Sequence, residues 1–298
     1  MDKALKPQLD NSAEIKSILK EVPCNFRLPD QRIVNTLLVY LPCHEDGKIS
    51  LKEFFEFVRK GILQNFVFSC KEIEKKLGMQ STTAMEDLFD KALRKISKHT
   101  AQGELGELLL FTLLDVYLKA PKLLSKVSMK TVPTMPVFGA DAVHGQMVDG
   151  EFRVYLGESK LYQSFKSAAS AAASSMVSAK SKFDVEFDLL DSHMDFPNLD
   201  SEFEKTILDV LNPYTTIDSA KKIHSPCFIG FTQPDVIFEN DVDYVEAYKK
   251  VACQYVGDFF NKVEGKGLEA EEVTLLMLPF TCVSELVDEF ISYVGIYK

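Results

Sequence analysis

Two different spacings of hydrophobic residues divide the chain. Apolar residues recur at helical spacing over residues 85–96 and again over residues 103–119, which predicts two consecutive helices. Strand-like alternation replaces this spacing in three later segments, residues 125–132, 137–148 and 151–161. Asp149-Gly150, between the last two segments, is a strong signal for a two-residue hairpin turn. We therefore expect a helix that leads into an antiparallel meander of three strands.

The second half of the chain alternates apolar strands with helices. Continuous apolar runs predict strands, and helical spacing predicts the segments around them: strands at residues 227–231 and 273–280, helices at 199–211, 242–263 and 283–293. Strands that are apolar on both faces are typical of a parallel sheet covered by helices. The Ala/Ser-rich stretch within residues 162–182 is interpreted as a helix packed closely on that sheet, with a flexible linker as the alternative. The predicted class is α/β, with a mixed sheet flanked by helices.

The first 80 residues have a more irregular pattern. Residues 31–40 are compatible with a strand, residues 51–63 with a helix, and residues 78–83 with a connector. We predict an N-terminal α/β extension over residues 1–80, for which partner binding is one interpretation, and a main domain over residues 81–298. Several phenylalanines of the extension are expected in its core, or at a docking surface if they are exposed: Phe54, Phe55, Phe57, Phe66 and Phe68.

The composition is that of a folded, acidic protein. The 298 residues are 46% hydrophobic, and 44 acidic against 34 basic side chains give a net charge of −10, which argues against disorder. No apolar run reaches the roughly 18–20 residues of a membrane helix. The six cysteines form no CxxC pair, so we expect reduced thiols in a cytoplasmic protein without membrane contact.

The charge is distributed unevenly along the chain. Residues 119–182 contain nine basic and four acidic side chains, a local surplus of five positive charges in a chain that is otherwise strongly acidic. Such a basic segment is expected to contact a polyanion. A solvated face of lysines would have the same composition.

Three acidic positions and a lysine are candidates for chemistry. Glu158 and Lys160 lie two apart on one predicted strand, so their side chains share a face. A hairpin centred on Asp149-Gly150 places Asp141 directly opposite Glu158, about 5 Å away. Two carboxylates at that distance repel each other, and a divalent cation would compensate both. Oxygen ligands favour Mg²⁺ or Mn²⁺.

A further carboxylate is available on the helix that precedes the strands. Glu104 and Glu107 lie three residues apart, and hence on one helix face. Either could complete the site, and both could instead only favour the helix dipole. Glu158 and Lys160 could likewise form only a surface ion pair.

This order of motifs resembles the PD-(D/E)xK nuclease superfamily. The helical glutamate comes first, followed by a strand, the strand that contains Asp141, the hairpin, the Glu158-Ser159-Lys160 strand and a helix. The proline of the family motif is replaced here, where the sequence is Phe138-Gly139-Ala140-Asp141. The resemblance implies a restriction-endonuclease-like core.

Three local strings narrow the resemblance to the HamA-type nuclease effector subunits of the Hachiman anti-phage defence system. They are Gly103-Glu-Leu-Gly-Glu-Leu-Leu-Leu-Phe, Phe138-Gly-Ala-Asp-Ala-Val-His144 and Leu156-Gly-Glu-Ser-Lys-Leu-Tyr162. The resemblance implies a bacterial DNA endonuclease that a partner helicase (HamB-type) holds inactive until it senses aberrant DNA. A catalytically silent module that scaffolds a helicase or DNA is the alternative, and RNA cleavage is a third interpretation.

Residue roles follow from that resemblance and from metal chemistry. Asp141, Glu158 and the backbone carbonyl of Ser159 are expected to hold Mg²⁺ against a phosphate oxygen. Lys160 is expected to orient the attacking water, and Glu107 to be a further ligand, with Glu104 as its substitute. The expected nucleic-acid contacts are Gln163, Lys166, Lys130 and His144.

Overall fold

The computed structural model describes residues 5–43, 49, 51–78, 83–134, 139–197, 199–215 and 222–296. Its centre is a mixed sheet in the order β1-β3-β7-β6-β5-β4, with β2 also paired to β3. The strands are β1 (Lys20–Val22), β2 (Phe26–Arg27), β3 (Ile33–Tyr40), β4 (Ala142–Val148), β5 (Glu151–Tyr162), β6 (Ile223–Thr232) and β7 (Val273–Phe280).

Helices cover both faces of this sheet. They are α1 (Ser12–Ile18), α2 (Leu51–Phe57), α3 (Leu63–Val67), α4 (Cys70–Leu77), α5 (Ala84–Leu93), α6 (Ala101–Val116), α7 (Phe165–Ser181), α8 (Phe183–His193), α9 (Ser201–Leu211), α10 (Asp241–Glu264) and α11 (Val283–Val294). A π-helical turn, Val58–Ile62, joins α2 to α3. Helix α6 packs on one face of the sheet and α7 on the other, so the strand β5 lies between them.

Four neighbouring strands in the sheet are parallel. The pairs β3–β7, β7–β6 and β6–β5 run in the same direction, and antiparallel pairs occur at both ends. Buried strands in this arrangement must be apolar on both faces, as β6 and β7 are. The prediction of an α/β protein with a mixed sheet flanked by helices is confirmed.

The predicted hairpin forms with the predicted register. Asp149 and Gly150 have φ angles of 52° and 79°, the left-handed conformations that a type I′ turn requires. Pairing runs from Val148 opposite Glu151 to Ala142 opposite Gly157. Because Asp149-Gly150 fixes the turn, it also fixes which residues reach the far end of β4 and β5.

The predicted first strand of the meander is wrong. Residues 125–132 contain a 3-10 helix, Lys126–Met129. The segment beside β4 is instead residues 121–123, where the Leu123 N–H donates to the Val143 carbonyl (2.8 Å) and Gly145 N–H to the Pro121 carbonyl (3.1 Å). The side chains of Lys126 and Lys130, in and just after this 3-10 helix, point inward to buried carboxylates.

The Ala/Ser-rich segment is a helix, and the linker alternative is excluded. In α7 the small residues Ala168, Ala169, Ala172 and Ala173 are buried against the sheet, because their size lets the helix approach β5 and β6 closely. Helix α8 follows at once and was not predicted.

The N-terminal residues belong to the same sheet as the rest. Strand β3 pairs in parallel with β7 along Asn35–Leu38, and Phe55 contacts Phe290 of α11. Phe54, Phe55, Phe66 and Phe68 are buried, as expected for core residues. The predicted boundary near residue 80 therefore does not separate two sheets; residues 79–82 of the predicted connector lie outside the described residues.

Within the described ranges, no helix is both long and apolar enough to cross a membrane. The six cysteines are free thiols.

Candidate functional site

Asp141 lies at the edge of the sheet, one residue before β4 begins. Its backbone N–H donates to the Gly157 carbonyl (2.9 Å). Its carboxylate accepts hydrogen bonds from the backbone N–H (2.8 Å) and the Oγ (3.0 Å) of Ser159. The predicted ladder pair with Glu158 is therefore not formed, because these two donors turn the Asp141 side chain toward Ser159.

Glu158 and Lys160 are neighbours on the face of β5 that packs against α7. Glu158 is buried and Lys160 is partly buried, and the Lys160 ammonium donates to Glu158 Oε1. Ser175 of α7 also hydrogen-bonds the Glu158 carboxylate. This serine was missed in the sequence, where it is one of many in a small-residue run.

Glu107 approaches from the opposite face of the sheet, on α6. Its neighbour Gly106 lies against β5, where a Cβ atom would stand 3.3 Å from Ser159 Oγ, so glycine lets the helix come close. Glu107 is only partly buried. Among the described residues, its carboxylate has no hydrogen-bond or ion-pair partner.

The three carboxylates form one electrostatic group, here called the acidic cluster (Glu107, Asp141 and Glu158). Burial, and then the charge of Asp141, raise the pKa of Glu107 to about 8 and that of Glu158 to about 7. Asp141 influences groups on both faces because it lies at the open edge of the sheet. Burial lowers the pKa of Lys160, but the Glu158 carboxylate outweighs this and leaves that pKa above its usual value.

Two buried ion pairs surround the acidic cluster. Lys130 Nζ lies 2.7 Å from Glu104 Oε1, and Lys126 Nζ lies 2.6 Å from Glu186 Oε1. Burial raises the pKa of Glu104, although Lys130 opposes this. Lys126 and Glu186 were not predicted, because residues 60 apart in sequence have no local signal that joins them.

These pairs correct two predicted roles. Glu104 is already occupied by Lys130 and by the Ser97 backbone N–H, so Glu107 is the helical carboxylate that remains available. Lys130 is buried, and its ammonium points into the protein, where it cannot contact DNA.

His144 is also an interior residue. It is only 1% exposed, its Nδ1 lies 2.7 Å from the Ala120 carbonyl, and its ring packs near Phe111. Burial lowers its pKa to about 3, so the ring is neutral. The predicted nucleic-acid contact at His144 is therefore wrong for this fold.

Gln163 and Lys166 lie on the surface at the start of α7. Gln163 Nε2 donates to Ser284 Oγ (3.1 Å), and its Oε1 accepts from Thr232, which orders the side chain at the ends of β5 and β6. Both residues are positioned where a phosphate backbone could reach them.

The basic surplus of residues 119–182 is largely internal. Lys122, Lys126 and Lys130 are buried, and Lys180 is paired with Glu272. The interpretation of this segment as a basic surface for a polyanion is therefore corrected: most of these lysines compensate charge or carbonyls inside the protein.

A hard divalent cation needs several oxygen ligands close together. Within the described part of the chain, no three His, Cys, Asp or Glu side chains are close enough to hold a metal ion as they stand. The cluster and its surroundings nevertheless contain five carboxylates against three ammonium groups, an excess of two negative charges when all are ionised. Carboxylate oxygens with this charge favour Mg²⁺ or Mn²⁺.

Fold and site together define an α/β protein with a mixed, helix-flanked sheet and a cluster of partly uncompensated carboxylates at one edge. The chain belongs to the HamA family, whose model matches residues 17–294, nearly the whole chain. Membership in this family associates the chain with the Hachiman defence system. Comparison with curated proteins and comparison with solved structures gave no match.

Proposed function

We propose that this protein is a metal-dependent DNA endonuclease effector of the Hachiman system, which uses Mg²⁺ or Mn²⁺. We further propose that a partner helicase holds it inactive and releases it when aberrant DNA is sensed. Family membership supports the defence role, and the order of its motifs supports a PD-(D/E)xK nuclease core.

The observation that carries the proposal is that the charge of Asp141 acts on both Glu107 and Glu158, which lie on different elements. Burial and the charge of Asp141 raise the pKa of Glu107 and of Glu158. Such an arrangement is costly in a fold, and perturbed carboxylates at an edge are typical of functional sites. Structural pairs in the same region, such as Lys130–Glu104, are compensated. In the acidic cluster, Glu158 is paired with Lys160, whereas Glu107 has no ion-pair partner among the described residues.

Asp141, Glu158 and Glu107 would hold the cation, with the Ser159 backbone carbonyl as a further candidate. A bound divalent cation would stabilise charge on the phosphate and lower the pKa of an attacking water. The Ser159 N–H and Oγ hold the Asp141 carboxylate in place for this purpose. Glu107 would have to turn toward Asp141, which its lack of a hydrogen-bond partner among the described residues allows.

Lys160 would act on the substrate once Glu158 binds a cation. Its ammonium then loses its present partner and can donate to a phosphate oxygen or orient the attacking water. Gln163 and Lys166 would contact the backbone of DNA beside Lys160.

The alternative is a catalytically silent module that scaffolds a helicase or DNA. The ion pair between Glu158 and Lys160 favours it, because this pair satisfies both side chains without a metal. In that case the edge of the sheet would be a binding surface only.

Incubation of purified protein with supercoiled plasmid and Mg²⁺, alone and with the partner helicase, separates the two functions. Glu158→Gln and Lys160→Met should abolish cleavage. A matched control exists on the same strand, since Glu151 forms an exposed ion pair with Lys222; Glu151→Gln and Lys222→Met should cleave like the wild type.

Cleavage that survives both site substitutions would refute the assigned residues. Absence of cleavage by the wild type under both conditions would favour the scaffold. Degradation of RNA but not DNA in a parallel reaction would change the substrate class and leave the site intact.

The net charge of −10 should disfavour DNA binding by the isolated chain. We expect weak duplex binding alone and stronger binding in complex with the helicase, measured by fluorescence anisotropy at physiological salt. Tight binding by the isolated chain would contradict helicase-dependent loading.

A further inference from the structure

A buried ion pair holds both backbone polar groups of Ala140, the residue that precedes Asp141. Glu186 Oε1 accepts the Ala140 N–H (2.7 Å), Lys126 Nζ donates to the Ala140 carbonyl (2.8 Å), and the two side chains are 2.6 Å apart. This closed arrangement, here called the Ala140 clamp, joins the 3-10 turn before β4 to helix α8.

We infer that Lys126 and Glu186 are positioning residues, which fix the Ala140 peptide so that the Asp141 carboxylate faces the cation site. The inference deepens the proposed function and rests on it. Asp141 lies one residue before β4, and among the described residues its own N–H and carboxylate are bonded to β5. Without the clamp, the N–H and the carbonyl of Ala140 would lose the two partners that hold them.

The residue before Ala140 is a glycine, and its lack of a side chain leaves room for the clamp. Gly139 has a φ angle of 99°, which other residues rarely adopt. A Cβ atom on it would stand 1.8 Å from Glu186 Oε1 and 2.9 Å from Lys126 Nζ. Glycine is therefore required here both by backbone conformation and by the approach of the ion pair.

Stability alone is a poor explanation for the pair. The Lys126 and Glu186 side chains are 7% and 2% exposed, and Glu186 Oε2 has no hydrogen-bond partner among the described residues. Burying two charges is expensive, and well-packed apolar residues often replace such a pair without loss of stability. What apolar residues cannot supply is a donor and an acceptor for the Ala140 peptide.

The test is the double substitution Lys126→Met/Glu186→Leu in the full chain. We expect the variant to fold, since the charges are removed together, and to lose amide protection at Ala140. Mn²⁺ affinity, measured by electron paramagnetic resonance, should fall about 10- to 100-fold. DNA cleavage should lose about 100-fold in kcat with little change in KM.

A matched control double variant is Lys180→Met/Glu272→Leu, which removes a partly buried ion pair between α7 and the turn before β7. It should keep the wild-type Mn²⁺ affinity and kcat. Glu186→Gln retains an acceptor for the Ala140 N–H and should keep part of both, which gives a usable readout even if the double variant does not fold.

Wild-type Mn²⁺ affinity and kcat in a folded double variant, or in Glu186→Gln with faster Ala140 exchange, would overturn the inference and leave the proposed function standing. A wild-type protein that neither binds Mn²⁺ nor cleaves nucleic acid, with or without helicase, would overturn the proposed function and the inference together.

Discussion

Helix α6 carries two carboxyl groups in opposite situations. Near its middle, Glu107 belongs to the acidic cluster and has no hydrogen-bond partner among the described residues. Near its end, Asp115 accepts the backbone N–H groups of Gln8 (2.8 Å) and Leu9 (2.9 Å). Burial raises the pKa of both, to about 8 for Glu107 and about 6 for Asp115.

Lys122, like Asp115, is buried and hydrogen-bonded to backbone groups. Its ammonium donates to the carbonyls of Asn65, Phe66 and Phe68, the last at 2.8 Å. These carbonyls end helix α3, so the lysine supplies the donors that the helix lacks there. Lys160, in contrast, contacts one carboxylate in a group of like charges.

This comparison distinguishes buried charges that stabilise the fold from buried charges that remain available to a ligand. A buried charge that serves the fold is bonded by backbone groups fixed in place, as at Asp115 and Lys122. A buried charge that serves a ligand leaves part of its bonding capacity unused. The predictions below test this comparison.

The largest effect should come from the same substitution at the two aspartates. Asp141→Asn keeps an oxygen for the Ser159 donors but removes a cation ligand, so we expect about a 10²- to 10³-fold loss of nuclease rate with unfolding free energy unchanged within about 1 kcal/mol. Asp115→Asn presents an amide to one of two N–H groups and should cost about 1–3 kcal/mol of stability. Plasmid cleavage and urea unfolding measure the two quantities.

Asp115→Asn should cleave at the wild-type rate per folded molecule. If Asp115→Asn loses activity while folded, or if Asp141→Asn unfolds the protein, the distinction between carboxylates that serve the fold and carboxylates that serve a cation does not hold.

The next effect compares two lysines. Lys122→Met leaves three buried carbonyls without their donor and should lower the unfolding free energy by about 2–3 kcal/mol. Lys160→Met should change it by less than about 1 kcal/mol, because Glu158 can take up a proton instead. Exposed Lys266→Met is the control. Equal losses at Lys122 and Lys160 would indicate that both ion sites serve the fold.

The third effect is the pH dependence of stability. In the folded protein Glu107 holds its proton up to about pH 8, whereas the unfolded chain releases it near the ordinary pKa, so stability from this group is lost as pH rises through that window. In buffer without divalent ions, the wild type should lose about 1–3 kcal/mol relative to Glu107→Gln between pH 5 and 8.

Adding Mg²⁺ should flatten that difference, because a cation favours the ionised carboxylate. Parallel unfolding curves of the two proteins at every pH, with and without Mg²⁺, would show that Glu107 has an ordinary pKa and no cation beside it.

The smallest effect concerns DNA contact. Lys166→Ala should weaken duplex binding by the complex about 2- to 5-fold at low salt, and less at high salt, because one exposed charge is lost. The control is Lys266→Ala, which removes an exposed lysine elsewhere. It should have no effect in the same anisotropy titration. Equal effects would place the DNA on another surface.

Local patterns predicted much of this fold because they depend on nearby residues. Asp149-Gly150 fixed the hairpin and its register, and apolar runs identified β6 and β7, since turn conformation and strand burial are decided within a few residues. That register also brings Asp141 beside β5, where its N–H donates to the Gly157 carbonyl.

The main error of the sequence-based prediction was to treat the lysines as surface residues, and it has a physical reason. Lys126 and Lys130 look like surface residues, because lysine is usually exposed. Their buried partners, Glu186 and Glu104, lie far away in sequence, and no local spacing predicts such a pair. The ladder pair of Asp141 with Glu158 failed similarly, since the competing donors of Ser159 become visible only in three dimensions.

The sequence by itself determined most of the helices and strands and the position of the hairpin turn, because these depend on backbone propensity and on the alternation of side chains. Only the tertiary structure decided which charges are compensated. Burial and pairing depend on what packs against each group, and that is how Glu107 stays available while Glu104 is occupied, and how Lys126 comes to hold Ala140 instead of facing solvent.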